Sequence, residues 1–307
     1  MYYVGVDVGG TNIKAGLVDE SGMVCESRQI PTSEDSIDAL VSSIATLVEQ
    51  FRAANAIDAV GVGVAGLLSH STGIMETSPN IACLEGVNLG ALVSERLGML
   101  IVVENDAKAG AYGEWICGAG RGRQHMAYVT LGTGLGCGLI LSGRLFLGAS
   151  GFAGELGHTV IEPGGRRCAC GSRGCVETRV SATALVATAL EHLDQRPGGL
   201  LAPFRDSLTA RIVHDAATAG DPAAVAAFQD TGRFLGMACA NLIGLFNLET
   251  IVIGGGVMAG ADLLLGPALE EVQRTALAPA ARDCRIVKSE LWPDAGVIGA
   301  ALLARDG

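Results

Sequence analysis

The sequence predicts an α/β fold made of two related halves. Three observations point to it. Short β-rich runs such as YYVGVDV, AVGVGVA and TIVI alternate with stretches of helical periodicity. Three of the apolar strands run into glycine turns, at 9–11, 132–136 and 254–256. The pattern of VGVDVGGTNIKAGLVDESG returns in YVTLGTGLGCGLILSGRLF at an offset of 123 residues, so that Asp7 falls on Thr130, Gly9 on Gly132 and Asp19 on Ser142. A strand–turn–strand–turn–strand unit that occurs twice implies duplicated halves.

The elements follow in order. Residues 2–8 form a strand, Gly9-Gly10 turn it, 12–18 return, and 19–22 turn again into MVCESRQI, giving a three-strand meander. Asp7 lies one step before the first turn and Thr11 just past it. Glu34 to Asn55 has a helical apolar stripe at Ile37, Leu40, Val41, Ile44 and Leu47. Residues 59–65 are a buried strand, and 74–89 are irregular around the turn Ser78-Pro79-Asn80. The strand at 100–103 ends in Glu104-Asn105-Asp106 before a helix over 107–115. Asp106 therefore sits at a strand C-terminus and a helix N-terminus, the edge where open α/β sheets bind ligands. As a bare sequence feature, an ordinary helix N-cap explains it equally well. The run 126–143 lacks charge, but its five glycines make it strand–turn–strand rather than a membrane span. Helices are expected over 180–194, 205–247, 261–277 and 295–304, and strands over 250–253 and 284–289. The last helix, rich in small residues, should pack back on the first half. The expected domains are 1–118 plus 295–307, and 119–294 with an insertion at 154–177.

That insertion, GELGHTVIEPGGRRCACGSRGCVE, carries His158, Cys168, Cys170 and Cys175 within eighteen residues. Four soft ligands at this density suit a structural Zn²⁺ with every position filled by protein. The alternatives are a disulfide with a surface histidine, or a nucleic-acid zinc ribbon, which usually shows two CxxC halves. Glu155 and Glu177 flank the ligands, so the loop forms a platform aiming His158 and two acids at a polar ligand. The other cysteines, Cys25, Cys83, Cys117, Cys137, Cys239 and Cys284, read as small core residues. Nine cysteines without a signal peptide suggest a reducing compartment, hence the cytoplasm. At 307 residues and 49% hydrophobic the chain can build a sizeable core, and a net charge of −11 argues against a nucleic-acid surface.

Backbone N–H groups at glycine turns make anion sites. Gly254 to Ala259 matches G-x-G-x-x-A, but it does not follow the first strand and no ribose-binding acid is evident, so an NAD-linked oxidoreductase is the weaker reading. No P-loop occurs. Three turns over two halves fit another nucleotide site. In it, turns 9–11 and 132–136 would hold a triphosphate across a cleft and turn 254–256 would lie under the adenosine. Each turn could also be no more than a tight strand connection.

DVGGTNIKAGLVD, GVGVAG, VVENDAKAGAYGEWICGAGRG, VTLGTGLGCGLILSGRLFLGASGFAGELGH, CACGSRGCVE, IVIGGGV and GVIGAALL span nearly the whole chain. In this order they resemble the sugar kinases of the ROK family (repressors, open reading frames, kinases). The resemblance implies the two-domain actin/hexokinase-like (ribonuclease H-like) fold, with duplicated mixed β-sheets flanked by helices and a cleft between domains. It implies ATP-dependent phosphorylation of a hexose with Mg²⁺, and a homodimer or homotetramer without nucleic-acid or membrane partners. By resemblance Asp106 is the general base, and Asn80, Asn105, Glu155, His158 and Glu177 bind sugar hydroxyls. Asp7 orients Mg²⁺ or its water. Gly9, Gly10, Thr11, Asn12, Lys14, Thr133 and Gly134 line the phosphates, and Gly255 and Gly256 the adenosine. Glucose leads because Glu155 and Glu177 are both present; N-acetylmannosamine, N-acetylglucosamine, mannose, allose and fructose are alternatives. A transcriptional regulator of the family would carry an N-terminal winged helix, whereas here Tyr2 already begins the strand. The family often has Lys where Asn12 stands, with Lys14 nearby. PGxVD is AGLLS here, with Ala65 and Ser69, and a frequent Gly-Trp pair is Cys83-Leu84.

Overall fold

The computed structural model describes residues 1–33 and 36–307. The chain opens with β1 (Tyr2–Val8), β2 (Asn12–Asp19), β3 (Val24–Pro31), α1 (Ile37–Arg52), β4 (Ile57–Val64), β5 (Leu67–Leu68), β6 (Met75–Thr77), α2 (Leu89–Leu97), β7 (Ile101–Asn105) and α3 (Asp106–Cys117). It continues with β8 (Met126–Leu131), β9 (Leu135–Ile140), α4 (Ala182–Gln195), α5 (Ala210–Thr218), α6 (Pro222–Phe246), β10 (Thr250–Gly254), α7 (Ala261–Thr275), α8 (Ala278–Asp283), β11 (Arg285–Lys288) and α9 (Ala295–Asp306). Two compact units result: residues 1–124, 138–154 and 289–307, and residues 125–137 and 155–288.

In the first unit a mixed sheet runs β3-β2-β1-β4-β7, with β1, β4 and β7 parallel and β1–β2–β3 antiparallel. The alternation of strand side chains assigns its two faces. Val4, Val6, Val8, Val60, Val62 and Val64 join Leu40, Ile44, Leu47 and Phe51 of α1 in one buried core. On the other face the register aligns Gly16, Gly5 and Gly61 in a row across β2, β1 and β4. α9 lies directly on that row. A Cβ at Gly5 would stand 1.8 Å from the Val297 carbonyl oxygen, and one at Gly61 1.9 Å from that of Ala300. α9 also meets α3 backbone to backbone, since a Cβ at Gly299 would stand 1.7 Å from the Ala109 oxygen. The small-residue helix thus packs on the first half as its composition suggested. Ser36 caps α1 by accepting from the Ala39 amide; Glu34 and Asp35, where that helix was expected to begin, lie outside the described residues.

The other large sheet has the order β11-β10-β8-β9, with β10 parallel to β8 and β11. α7 approaches α6 through Gly232 and Gly236, whose added Cβ atoms would come within 2.5 and 2.4 Å of α7 carbonyls. The continuous helix expected over 205–247 is instead a 3₁₀ stretch over 202–207 followed by α5 and α6. Gly220 takes φ +84°, Asp221 caps α6 through the Ala223 and Ala224 amides, and Pro222 sits at its first turn. The repeat is also incomplete: the third strand of the second meander shrinks to one bridge, Ile140 to Leu145, closed by a two-residue turn at Ser142 (φ 53°) and Gly143 (φ 65°). The β5–β6 hairpin and α2 lie where irregular chain or nothing was anticipated.

Because α9 meets α3 backbone to backbone at Gly299, Gly299→Ala should lower unfolding free energy by about 1–3 kcal/mol in urea titrations. Gly244→Ala, with open space around it on α6, should be neutral or stabilising by about 0.5–1 kcal/mol.

Candidate active site

In the first unit the parallel strands bring acidic groups to one edge. Register places Asp7 beside Gly63 on β4, and Gly63 beside Glu104 on β7. Lys14 on β2 is Asp7's partner on the other side. Asp106 follows β7 as the first residue of α3. The start of α3 packs on β4 at this point: a Cβ at Gly63 would stand 3.5 Å from the Asp106 Cα, an ordinary van der Waals contact. The N-terminal turn of α9 reaches Asp7 as well: a Cβ at Gly296 would lie 2.9 Å from Asp7 Oδ2.

Asp7 and Asp106 are half-buried and carry like charges. Burial, and then the charge of Asp106, push Asp7 up to about 7, against a smaller opposing pull from Lys14. Burial also holds Asp106 above the usual carboxylate range, opposed by the Ala107 amide, which donates to its Oδ1 at 2.9 Å. The helix cap is Asn105, not Asp106: Asn105 Oδ1 accepts from the Lys108 amide at 3.1 Å, and its Nδ2 donates to the Gly66 carbonyl at 3.1 Å. The capping explanation for Asp106 therefore lapses. Lys14 Nζ pairs with Asp294 at 2.5 Å, so its ammonium is held at the start of α9.

Turn 9–12 closes with the Gly9 amide donating to the Asn12 carbonyl at 3.0 Å. Gly10 lies against Asn80, with 3.1 Å between an added Cβ and that of Asn80. Thr11, Asn12 and Asn80 are exposed. The structure thus gathers Asp7, Gly9, Gly10, Thr11, Asn12, Lys14, Asn80, Asn105 and Asp106 in one unit.

In the second unit the ligand atoms of His158, Cys168, Cys170 and Cys175 all lie within 4.8 Å of one another. Cys170 Sγ to Cys175 Sγ is 3.7 Å, and Cys168 Sγ to His158 Nδ1 is 3.6 Å. A disulfide needs about 2.0 Å. A tetrahedral ion with metal–sulfur bonds of about 2.3 Å needs about 3.8 Å between sulfurs, so the residues fit a closed metal site. Without metal, burial pushes the Cys168 thiol up to about 12, while the Ser172 amide draws Cys170 below its ordinary value. Arg179 pairs with Glu162 at 2.7 Å and Arg166 with Glu191 at 2.6 Å, bracing the loop.

Glu177 ties this loop to the glycine turn: its Oε2 accepts from the Leu135 amide at 2.9 Å, and a Cβ at Gly134 would meet it at 2.3 Å. A Cβ at Gly157, between Glu155 and His158, would come within 2.6 Å of the Leu135 carbonyl. Thr133 is exposed, and its carbonyl accepts from the Thr183 hydroxyl at 3.0 Å. Gly255, at φ +90°, packs on the Leu131 backbone at the end of β8, which brings turns 132–135 and 254–256 to neighbouring strand ends. Sequence reasoning missed Glu104 and Lys108, both buried, and His70, which pairs with Glu104 at 2.9 Å. His70 is far from both along the chain, so no spacing signal joined the three.

A carboxyl raised to about 7 binds a proton more tightly folded than unfolded. Its favourable contribution is complete below about pH 4 and disappears as pH rises through 7. Asp7→Asn should therefore stabilise the ligand-free protein at pH 8, by up to about 4 kcal/mol, and far less at pH 4. Urea titrations at the two pH values measure this.

The ROK family model matches residues 3–307. A glucokinase of Streptomyces coelicolor is 37% identical over 310 residues, covering 99% of this chain and 97% of its own. An N-acetylmannosamine kinase of Yersinia pseudotuberculosis is 30% identical, covering 98% and 97%. Among solved structures, a ROK family glucokinase from Streptomyces griseus in complex with glucose and AMPPNP superposes with a TM-score of 0.90 at 35% identity, covering 100% of both chains. The fold is thus the actin/hexokinase-like α/β fold, and with the family model matched over nearly its whole length the chain belongs to the ROK family.

Proposed function

We propose that the chain is an ATP-dependent hexose kinase whose leading substrate is glucose, converted to glucose 6-phosphate. The observation that carries this is a half-buried aspartate, Asp106, at the C-terminal edge of the parallel strands β1, β4 and β7, in a chain that matches glucokinases end to end. Asp106 accepts the proton of the sugar hydroxyl as that oxygen attacks the γ-phosphorus of ATP and ADP leaves. Burial raises its affinity for protons, which strengthens it as a base. Asn80, Asn105, Glu155, His158 and Glu177 bind the other hydroxyls, because a polyol needs several fixed donors and acceptors. Gly9, Gly10, Thr11, Asn12, Thr133 and Gly134 present backbone and hydroxyl groups to the phosphates, and Gly255 and Gly256 to the adenosine. Lys14 orders the start of α9 through Asp294. Mg²⁺ supplies charge neutralisation at the phosphates, and Asp7 is the group that would orient it. Among the described residues no helix is long and apolar enough to cross a membrane. We place the enzyme in the cytoplasm as a homodimer or homotetramer.

His158, Cys168, Cys170 and Cys175 would hold a structural Zn²⁺. The ring nitrogen of His158 that the metal leaves free would be available to a sugar hydroxyl. A second reading, an N-acetylmannosamine kinase, draws on the 30% identical relative with that name.

An ADP-release assay over glucose, mannose, N-acetylmannosamine and N-acetylglucosamine decides the substrate, and glucose should give the highest kcat/KM. Asp106→Asn should lower kcat about 10²–10⁴-fold with the fold retained. Turnover near wild type would remove the base. Zinc should be present in equimolar amount, and its chelation should lower the melting temperature; a chelated protein melting like the untreated one contradicts the structural role.

A further inference from the structure

Asp106 stands inside a closed circuit of hydrogen bonds that its proposed role does not require. Glu104, 4% exposed, is held by His70 Nε2 on Oε2 at 2.9 Å and accepts the Asn105 amide on Oε1 at 2.8 Å. Asn105 in turn accepts the Lys108 amide at 3.1 Å. Lys108 Nζ donates to the Gly151 carbonyl. One residue back, the Ser150 carbonyl accepts the His70 amide at 3.2 Å, which closes the circuit. The only chain within it at the β7–α3 junction is Asp106 and Ala107.

Two features show that the circuit is built rather than incidental. Lys108 is 1% exposed on a helix whose other buried positions are mostly alanine and glycine, a place where an apolar side chain costs nothing and an ammonium costs desolvation. Gly151 takes φ +98°, and a Cβ there would stand 2.6 Å from His70 Cδ2 and 2.7 Å from the Leu68 carbonyl. Only glycine lets the 150–151 backbone approach both His70 and Lys108. The charges facing this ammonium are Asp106 and the His70–Glu104 pair, and Lys108 acts on both.

We propose that Lys108, with Glu104 and His70, is a positioning group for the reaction: it straps the turn at 148–154 to the first turn of α3 and so holds the backbone that aims Asp106. The proposal rests on the hexose-kinase reading. An error of about 1 Å in aiming a reacting group can cost two orders of magnitude in rate, so the effect belongs in kcat.

The test pairs hexose kinetics with amide hydrogen exchange on the full-length, zinc-containing protein. Lys108→Met should lower kcat about tenfold or more with KM changed by less than about threefold. It should also speed exchange of amides 148–154 while the rest of the unit stays protected. Where Lys108→Met does not fold, His70→Phe opens the same circuit from its exposed side and should give the same pattern. A variant with wild-type kcat, or with wild-type protection of 148–154, overturns the proposal, as does a loss confined to KM. If the wild type turns over no hexose, the kinase reading falls. Exchange then decides the strap alone, with unchanged protection against it and local deprotection for it.

Discussion

Two carboxylates, Asp7 and Asp106, are forced into one desolvated edge of a mixed sheet, at the C-terminal ends of its parallel strands, and the first unit is arranged around that constraint. Gly296 lets α9 begin against Asp7. The glycine row Gly16–Gly5–Gly61 brings α9 down onto the sheet, and Gly299 against α3 holds the helices at backbone contact. The opposite face carries the apolar core that stabilises this geometry. Like charges in a half-buried site cost free energy, so the rest of the unit must supply the stability that the pair removes. That is a common pattern at catalytic sites, where groups are tuned for chemistry rather than for folding.

The second unit solves a different problem. Its loop over 155–177 is held by ion pairs and by a carboxylate anchor. The four clustered ligand atoms fit a closed metal site. The Arg179–Glu162 and Arg166–Glu191 pairs brace its flanks. Glu177 connects it to the turn at 132–135. A carboxylate whose Oε2 accepts from the Leu135 amide has one oxygen committed to structure, which leaves its other oxygen and the remaining lone pairs for further partners.

Much of this was legible in the sequence, and what failed did so for identifiable reasons. Strands with strict alternation and glycine turns, such as β1–β2 and β8–β9, were found because period and turn chemistry agree. The ligand cluster was found because its members lie close along the chain. The break at Ala219–Asp221 was written in Gly-Asp-Pro, but the apolar periodicity on both sides masked it. The duplicated meander overreached at residues 144–147, where a tight hairpin left no room for a third strand. The circuit through His70, Glu104, Lys108 and Gly151 was invisible, since its members come from three separated segments and a lysine in a helix ordinarily means a solvated face.

A titration of the Asp7 and Asp106 side-chain carboxyl carbons by NMR, in the ligand-free protein, tests the central constraint most directly. The account predicts that Asp7 titrates near 7, that Asp106 titrates above its ordinary value, and that Asp106→Asn moves the Asp7 midpoint down. Both groups titrating near about 4, with Asp7 indifferent to the substitution, would contradict it.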